Sequence, residues 1–161
     1  MLPFKSLLLL AFAPLILCKP SPLPAFQVTN LNTFEPTGRP GDLSPYRVGF
    51  NVTDPADATA AFCEARWPYS QRDTGFPSTH YLSNCSDHSY SFRFLDWESY
   101  LNFTLDVKHI YKKPDHTRVT KIGKGHADLN ILHCTHAASG FSVCNQKDGV
   151  AFPLPIYSVN S

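Results

Sequence analysis

The sequence has little charge, few cysteines and no long apolar run outside its first residues. Only 17% of its 161 residues are charged, and the formal net charge is +1. That balance lacks the strongly basic face that holds phosphates, which excludes a nucleic-acid partner. Beyond the N-terminal stretch nothing is apolar enough to span a bilayer, so no membrane partner is expected and the mature chain should be soluble. Five cysteines are too few for a cysteine-dense scaffold. No cysteine pair has the two-residue gap of a redox motif or zinc knuckle, and no Gly-x-Ser-x-Gly elbow is present. No cofactor and no metal are therefore expected. Low charge combined with 13% aromatic residues also argues against disorder.

The N-terminus does contain an apolar run. Lys5 supplies a positive start, and residues 6–17 form a segment of signal-peptide length, too short to cross a bilayer. Residues 1–18 read as a signal peptide. Leu17 is not the small residue that a lipoprotein cleavage site places before its cysteine. Cleavage after Cys18 removes one cysteine and leaves an even set of four. A proline-rich lead-in, residues 19–25, follows, and one domain occupies residues 26–161. Three acceptor triplets fit export: Asn51-Val52-Thr53, Asn84-Cys85-Ser86 and Asn102-Phe103-Thr104. Asn51, Asn84 and Asn102 are the candidate glycosylation sites, and the protein is expected to be extracellular.

The dominant period is two. Tyr46, Val48, Phe50 and Val52 alternate with Arg47, Gly49 and Asn51, the pattern of a half-buried strand. Residues 101–111 repeat it, with Leu101, Phe103, Leu105 and Val107 inward and Asn102, Thr104, Asp106 and Lys108 outward. Asn51 and Asn102 thus fall on solvent faces. Shorter strands are predicted at 28–34, 90–95, 117–122, 127–132, 141–144 and 150–152. Turn residues separate them, among them Pro40-Gly41, Gly123-Lys124-Gly125 and Asp148-Gly149. Many short strands at regular spacing read as an all-β antiparallel sandwich or barrel. The segment 54–66 conflicts with this. Asp54 could cap a helix, Pro55 could open it, and the alanines could continue it. The meander instead expects a strand there.

Cys63, Cys85, Cys134 and Cys144 allow three pairings, and spacing alone does not choose among them. Each bridge could stabilise the fold by roughly 3 kcal/mol through loop-closure entropy. Seven histidines are many for this length. The tightest cluster is His133-Cys134-Thr135-His136, with His126 and Asp128 upstream. On a strand His133 and His136 face opposite sides, so they do not converge on a metal. A hydrolase would need an acid and a base; Glu64, Asp96, Glu98, Asp106, His109 and His136 are the available side chains. The stretch from His136 to Gly140 faintly resembles the histidine loop of small fungal ribonucleases, but the accompanying tyrosine, glutamate and arginine set is missing. No residue is assigned a catalytic role. The aromatics Trp67, Tyr69, Trp97 and Tyr100 are candidates to line a small-molecule or carbohydrate site. Otherwise they cover the barrel ends.

The order of these features carries a resemblance. Val28-Thr29-Asn30-Leu31 with Phe34 precedes the run from Tyr46 to Pro55, and a cysteine lies near Trp67. Cys85 leads into Tyr90-Ser91-Phe92-Arg93-Phe94, followed by Phe103-Thr104-Leu105-Asp106-Val107. The chain ends with Cys134, a short loop, Phe141-Ser142-Val143-Cys144 and an apolar final strand. This order is similar to that of fungal secreted proteins of the Alternaria major-allergen type, a family of small secreted effectors and allergens. The resemblance implies a single antiparallel β-barrel and sequential bridges, Cys63–Cys85 and Cys134–Cys144. It also implies a strand near Cys63 rather than a helix. It implies binding of a host protein or small molecule rather than catalysis. No extra cysteine lies near the mature N-terminus, so a monomer or non-covalent dimer is expected. The other readings are a small secreted hydrolase and a carbohydrate- or cell-wall-binding module.

Overall fold

A computed structural model describes residues 24–71 and 80–161. The predicted signal peptide lies outside the described residues, as do residues 19–23 of the lead-in, whereas Ala25 already belongs to the first strand. Nine strands follow in order: β1 (Ala25–Glu35), β2 (Tyr46–Asp54), β3 (Thr59–Trp67), β4 (Tyr90–Ser99), β5 (Asn102–Lys112), β6 (Arg118–Ala127), β7 (Leu132–His136), β8 (Ser142–Gln146) and β9 (Phe152–Asn160). A short 3-10 turn covers Tyr69–Gln71, and no α-helix occurs among the described residues. Every pairing is antiparallel. The main path runs β3-β2-β1-β9-β6-β5-β4, with β8 beside β1 and β7 beside β8. The result is an all-β, nearly closed barrel with two disulfides, Cys63–Cys85 and Cys134–Cys144.

The two ends of the path, β3 and β4, meet through the segment 82–86. Glu64 N–H donates to Asn84 O and Ser86 N–H to Phe62 O, tying the segment to β3. Leu82 and Phe92 exchange both backbone hydrogen bonds, tying it to β4. Cys63–Cys85 fixes the same seam covalently. The second bridge staples β7 to β8 at directly opposed positions. Sheet edges that would otherwise be open are paired here, which removes an aggregation hazard.

Residues 54–66 form strand, not helix. Asp54 caps a tight turn, accepting from Ala56 N–H at 3.1 Å, and the chain reverses over residues 55–58. β3 then buries Ala61, Cys63, Ala65 and Trp67 on alternate positions while Phe62 and Arg66 face out. Ala61, Cys63 and Ala65 are small enough to pack against the aromatic core, so tertiary burial overrides the segment's helical propensity.

Two further expectations are corrected. Gly123-Lys124-Gly125 is not a turn but the interior of β6. A Cβ on Gly123 would lie 2.7 Å from Leu154 O, and one on Gly125 would lie 2.8 Å from Pro153 O. The glycines let β9 cross closely as it passes from β1 to β6. The actual turn lies at 128–131, headed by Asp128, which accepts from Asn130 N–H. The final strand also continues past residue 152, because Phe152, Leu154 and Ile156 point inward while Pro153 and Pro155 occupy outward positions.

The core is aromatic. Phe26, Phe50, Phe92, Phe94, Phe103, Phe152 and Tyr90 are fully or almost fully buried. Phe50 meets Phe92 edge-on at 5.1 Å, and Phe94 meets Phe103 edge-on at 5.3 Å. Such contacts add specificity to the area that the rings bury.

Candidate functional site

At the β4–β5 end of the barrel the aromatic core continues into a cavity of about 240 Å³. Trp67, Trp97 and Tyr100 line it, together with Tyr46, Glu35, Glu98 and Ser99. Three of the four aromatics singled out in the sequence therefore converge. Their positions follow from strand geometry. Trp67 ends β3 directly opposite Tyr46 at the start of β2, and the two rings stack at 5.4 Å. Trp97 sits where the β4–β5 pairing shifts register, stacked on Phe103 at 5.1 Å and packed against Phe94. Trp67 and Trp97 meet edge to face, with an interplanar angle of 79°. Tyr69, outside the cavity lining, stacks on Tyr46 and packs over Gly38.

This is not a flat carbohydrate platform. Trp67 is only 3% exposed, and the two indoles are nearly perpendicular. The polar groups are Glu35, which accepts from the Tyr46 hydroxyl at 3.0 Å, and Glu98, which accepts from the Asn102 amide at 2.6 Å. Burial pushes the pKa of the Tyr100 hydroxyl up, and the Glu35 charge adds to that effect. Glu35 was not among the sequence candidates. Its partners lie on other strands, so no local motif marks it.

A second cluster is internal. Asp54 is fully buried and accepts from Lys121 Nζ at 2.6 Å and from His109 Nδ1 at 3.1 Å. Tyr90 stacks on the His109 ring at 4.1 Å, and the Tyr90 hydroxyl bonds Thr59. Burial pushes the Tyr90 hydroxyl up to about 12. Asp54, Asp57 and His109 present oxygen and nitrogen atoms close enough to hold a metal ion. The Lys121 ammonium already supplies the positive charge there, so the arrangement is an ion pair buried among aromatic rings rather than a metal centre.

A third cluster lies on the outer face of β4 and β5. Asp106, expected to face water, does point outward but is fully covered. It accepts from Arg93 Nε at 2.7 Å, from the Tyr81 hydroxyl at 2.9 Å and from the Tyr157 hydroxyl at 3.2 Å. Burial and the Asp106 charge raise the pKa of the Tyr81 hydroxyl. Arg93 and Lys108 both lie over the Tyr81 ring.

The acid candidates read from the sequence do not meet the histidine candidates; His109 pairs instead with the buried Asp54. Glu98 and Asp106 are bonded as described above, to neither His109 nor His136. His136 shares a hydrogen bond with Ser142 at 2.8 Å. Glu64 pairs with Arg66 at the surface, and Asp96 is an exposed residue with φ of 49°. His126 and His133 are exposed on separate strands. Of the sequon asparagines, Asn84 is exposed, whereas Asn51 and Asn102 are half-buried at outward strand positions. Asn84 donates to Glu64 O.

Compared with protein-family models and with curated proteins, the chain matches none.

Proposed function

We propose that this chain is a secreted, disulfide-stapled β protein that acts by binding, with its ligand in the cavity at the β4–β5 end of the barrel. The observation that carries the reading is the convergence of Trp67, at the end of β3, with Trp97 and Tyr100, at the β4–β5 turn, on one cavity. Aromatic walls with a few placed polar groups are the usual construction of a small-molecule site. The cavity lies somewhat below the usual size of such sites, roughly 300–1,000 Å³, which favours a small ligand or one group of a larger one.

Several features support export and an outward-facing role. Two bridges fit an oxidising compartment. The N-terminal run has signal-peptide character, and three sequons are present. No helix among the described residues is long and apolar enough to cross a membrane. The order of motifs resembles the Alternaria-type effectors and allergens, which favours contact with a host over chemistry. Asn51, Asn84 and Asn102 are the proposed glycan sites.

A fragment panel read by thermal shift tests the reading. Stabilising fragments should lose their effect in Trp97→Ala, and also in Ser99→Phe, which fills the cavity from its rim. Fragments that stabilise wild type and both variants equally would place binding elsewhere.

A further inference from the structure

The outer face of β8, β1, β2 and β3 carries an open groove of about 560 Å³. Strand register explains it. Asn145, Asn32, Gly49 and Glu64 stand side by side in one cross-strand row. Gly49 leaves the middle of that row without a side chain, while the next row carries Val143, Phe34, Arg47 and Arg66. Phe62 leans into the gap from β3, and its ring tip lies 3.5 Å from where a Cβ on Gly49 would stand. Phe62 is 46% exposed, and no other described ring packs on it. The polar atoms around the floor are held in place. Asn32 Nδ2 donates to Gly49 O at 3.1 Å and to Asn30 O at 3.2 Å, which leaves Oδ1 as an acceptor over the floor. Asn30 opens a β-bulge, with φ of 54°. Gln146 fixes that bulge by accepting from Leu31 N–H at 3.2 Å and donating to Val28 O at 3.2 Å. Bulges re-aim side chains, and a strained residue persists only where its surroundings hold it. Arg47 also lines the groove, and its Nε is buried without a hydrogen-bond partner among the described residues.

We infer that this groove binds a neutral carbohydrate. It is a second site, and the inference does not depend on the cavity. Amide, guanidinium and carboxylate side chains are planar forks that match pairs of neighbouring sugar hydroxyls, and Asn145, Asn32, Arg47 and Glu64 surround the floor. The Phe62 ring, lying over Gly49 with its outer side exposed, offers a negative π face to the C–H groups of a sugar ring. The charges cancel: Arg47 and Arg66 stand against Glu64 and Asp148, and Arg66 already holds Glu64 at 2.7 Å. That balance gives an ionic ligand no advantage. An apolar ligand fits poorly, because it would cover amides and charges without bonding them. Two sources share the inferred chemistry. Asn51 lies directly opposite Phe62, so a glycan on its sequon would start beside the ring. An external oligosaccharide is the other.

Calorimetric titration with xylotetraose, cellotetraose and chitotetraose tests this on two forms of the folded protein: Asn51→Gln, which lacks the neighbouring sequon, and wild type secreted from a glycosylating host. At least one tetrasaccharide should bind Asn51→Gln saturably, with an affinity that does not change with salt. In that background Phe62→Ala and Asn145→Ala, both at exposed positions, should each weaken binding about fivefold. Ser99→Phe, which fills the cavity, should leave it unchanged. Equal binding by the two forms would support the groove as a site for external sugar. Weaker binding by the secreted wild type would support it as the seat of the chain's own Asn51 glycan. No saturable binding of any tetrasaccharide would overturn the inference, as would binding that survives both groove variants or that Ser99→Phe removes. The fragment panel decides separately whether the cavity binds.

Discussion

Lys121 and Asp54 are 67 residues apart in sequence, yet Nζ and Oδ2 lie 2.6 Å apart inside the barrel. The β2–β3 turn brings the acid, and β6 brings the base. Removing one member of a buried pair leaves the other charge without a partner, which costs about 3–5 kcal/mol. Lys121→Met should therefore destabilise the protein by about 3 kcal/mol in urea unfolding. Arg66→Met breaks the exposed pair with Glu64 and should cost less than about 1 kcal/mol. Similar costs for both variants would contradict the buried-pair description.

The same pair sets a pH dependence. Burial acts to raise the pKa of Asp54, but hydrogen bonds from Lys121, His109 and Ala56 N–H outweigh it and hold the group below 3.8. Its contribution is therefore fully present above that value and is lost as pH falls through the lower folded-state value. Burial acts to lower the pKa of Lys121, but hydrogen bonds to Asp54 and Tyr111 outweigh it and hold the group above 10.5. Its contribution is present below that value and is lost as pH rises through the higher folded-state value. Unfolding followed across pH should show Lys121→Met with shallower losses at both extremes than wild type.

Gly123→Ala places a methyl group against a backbone carbonyl, Leu154 O, and the Phe26 ring edge. Neither can move without shifting β9 or the core. A loss of about 1–3 kcal/mol is expected, as for overpacking elsewhere. A turn glycine at this position would respond through its backbone angles instead. Retained stability would show that β9 crosses farther away than described.

The two bridges should separate in a hydrogen-exchange experiment. Cys63–Cys85 closes a span of 22 residues and Cys134–Cys144 a span of 10, so loop-closure entropy gives each about 3 kcal/mol, with more for the first. Cys63→Ser with Cys85→Ser should also deprotect the amides of Leu82 and Ser86, which close the seam between β3 and β4. Cys134→Ser with Cys144→Ser should leave those two amides protected.

Much of the barrel is legible in the sequence because strand alternation is a local signal. Tyr46, Val48, Phe50 and Val52 announce β2, and the inward residues of β5 do the same. The missed features are those whose cause lies on another strand. Gly123 and Gly125 look like turn residues until β9 is laid against them. Asp54 does cap a turn, as its residue type suggests, but its main partners are His109 and Lys121, which no spacing rule connects to it. The cavity is intermediate. Its aromatics stand out by type, whereas Glu35 becomes visible only when the start of β2 brings Tyr46 beside it.

The most direct measurement uses the two tryptophans. Trp67 and Trp97 are the only ones in the sequence, and both line the cavity. In a protein labelled with nitrogen-15 they give two indole N–H signals. Titration with a stabilising ligand from the fragment panel should shift both signals to saturation, with one shared Kd equal to the calorimetric value. Saturable binding by calorimetry with both indole signals unmoved would contradict the cavity as the binding site.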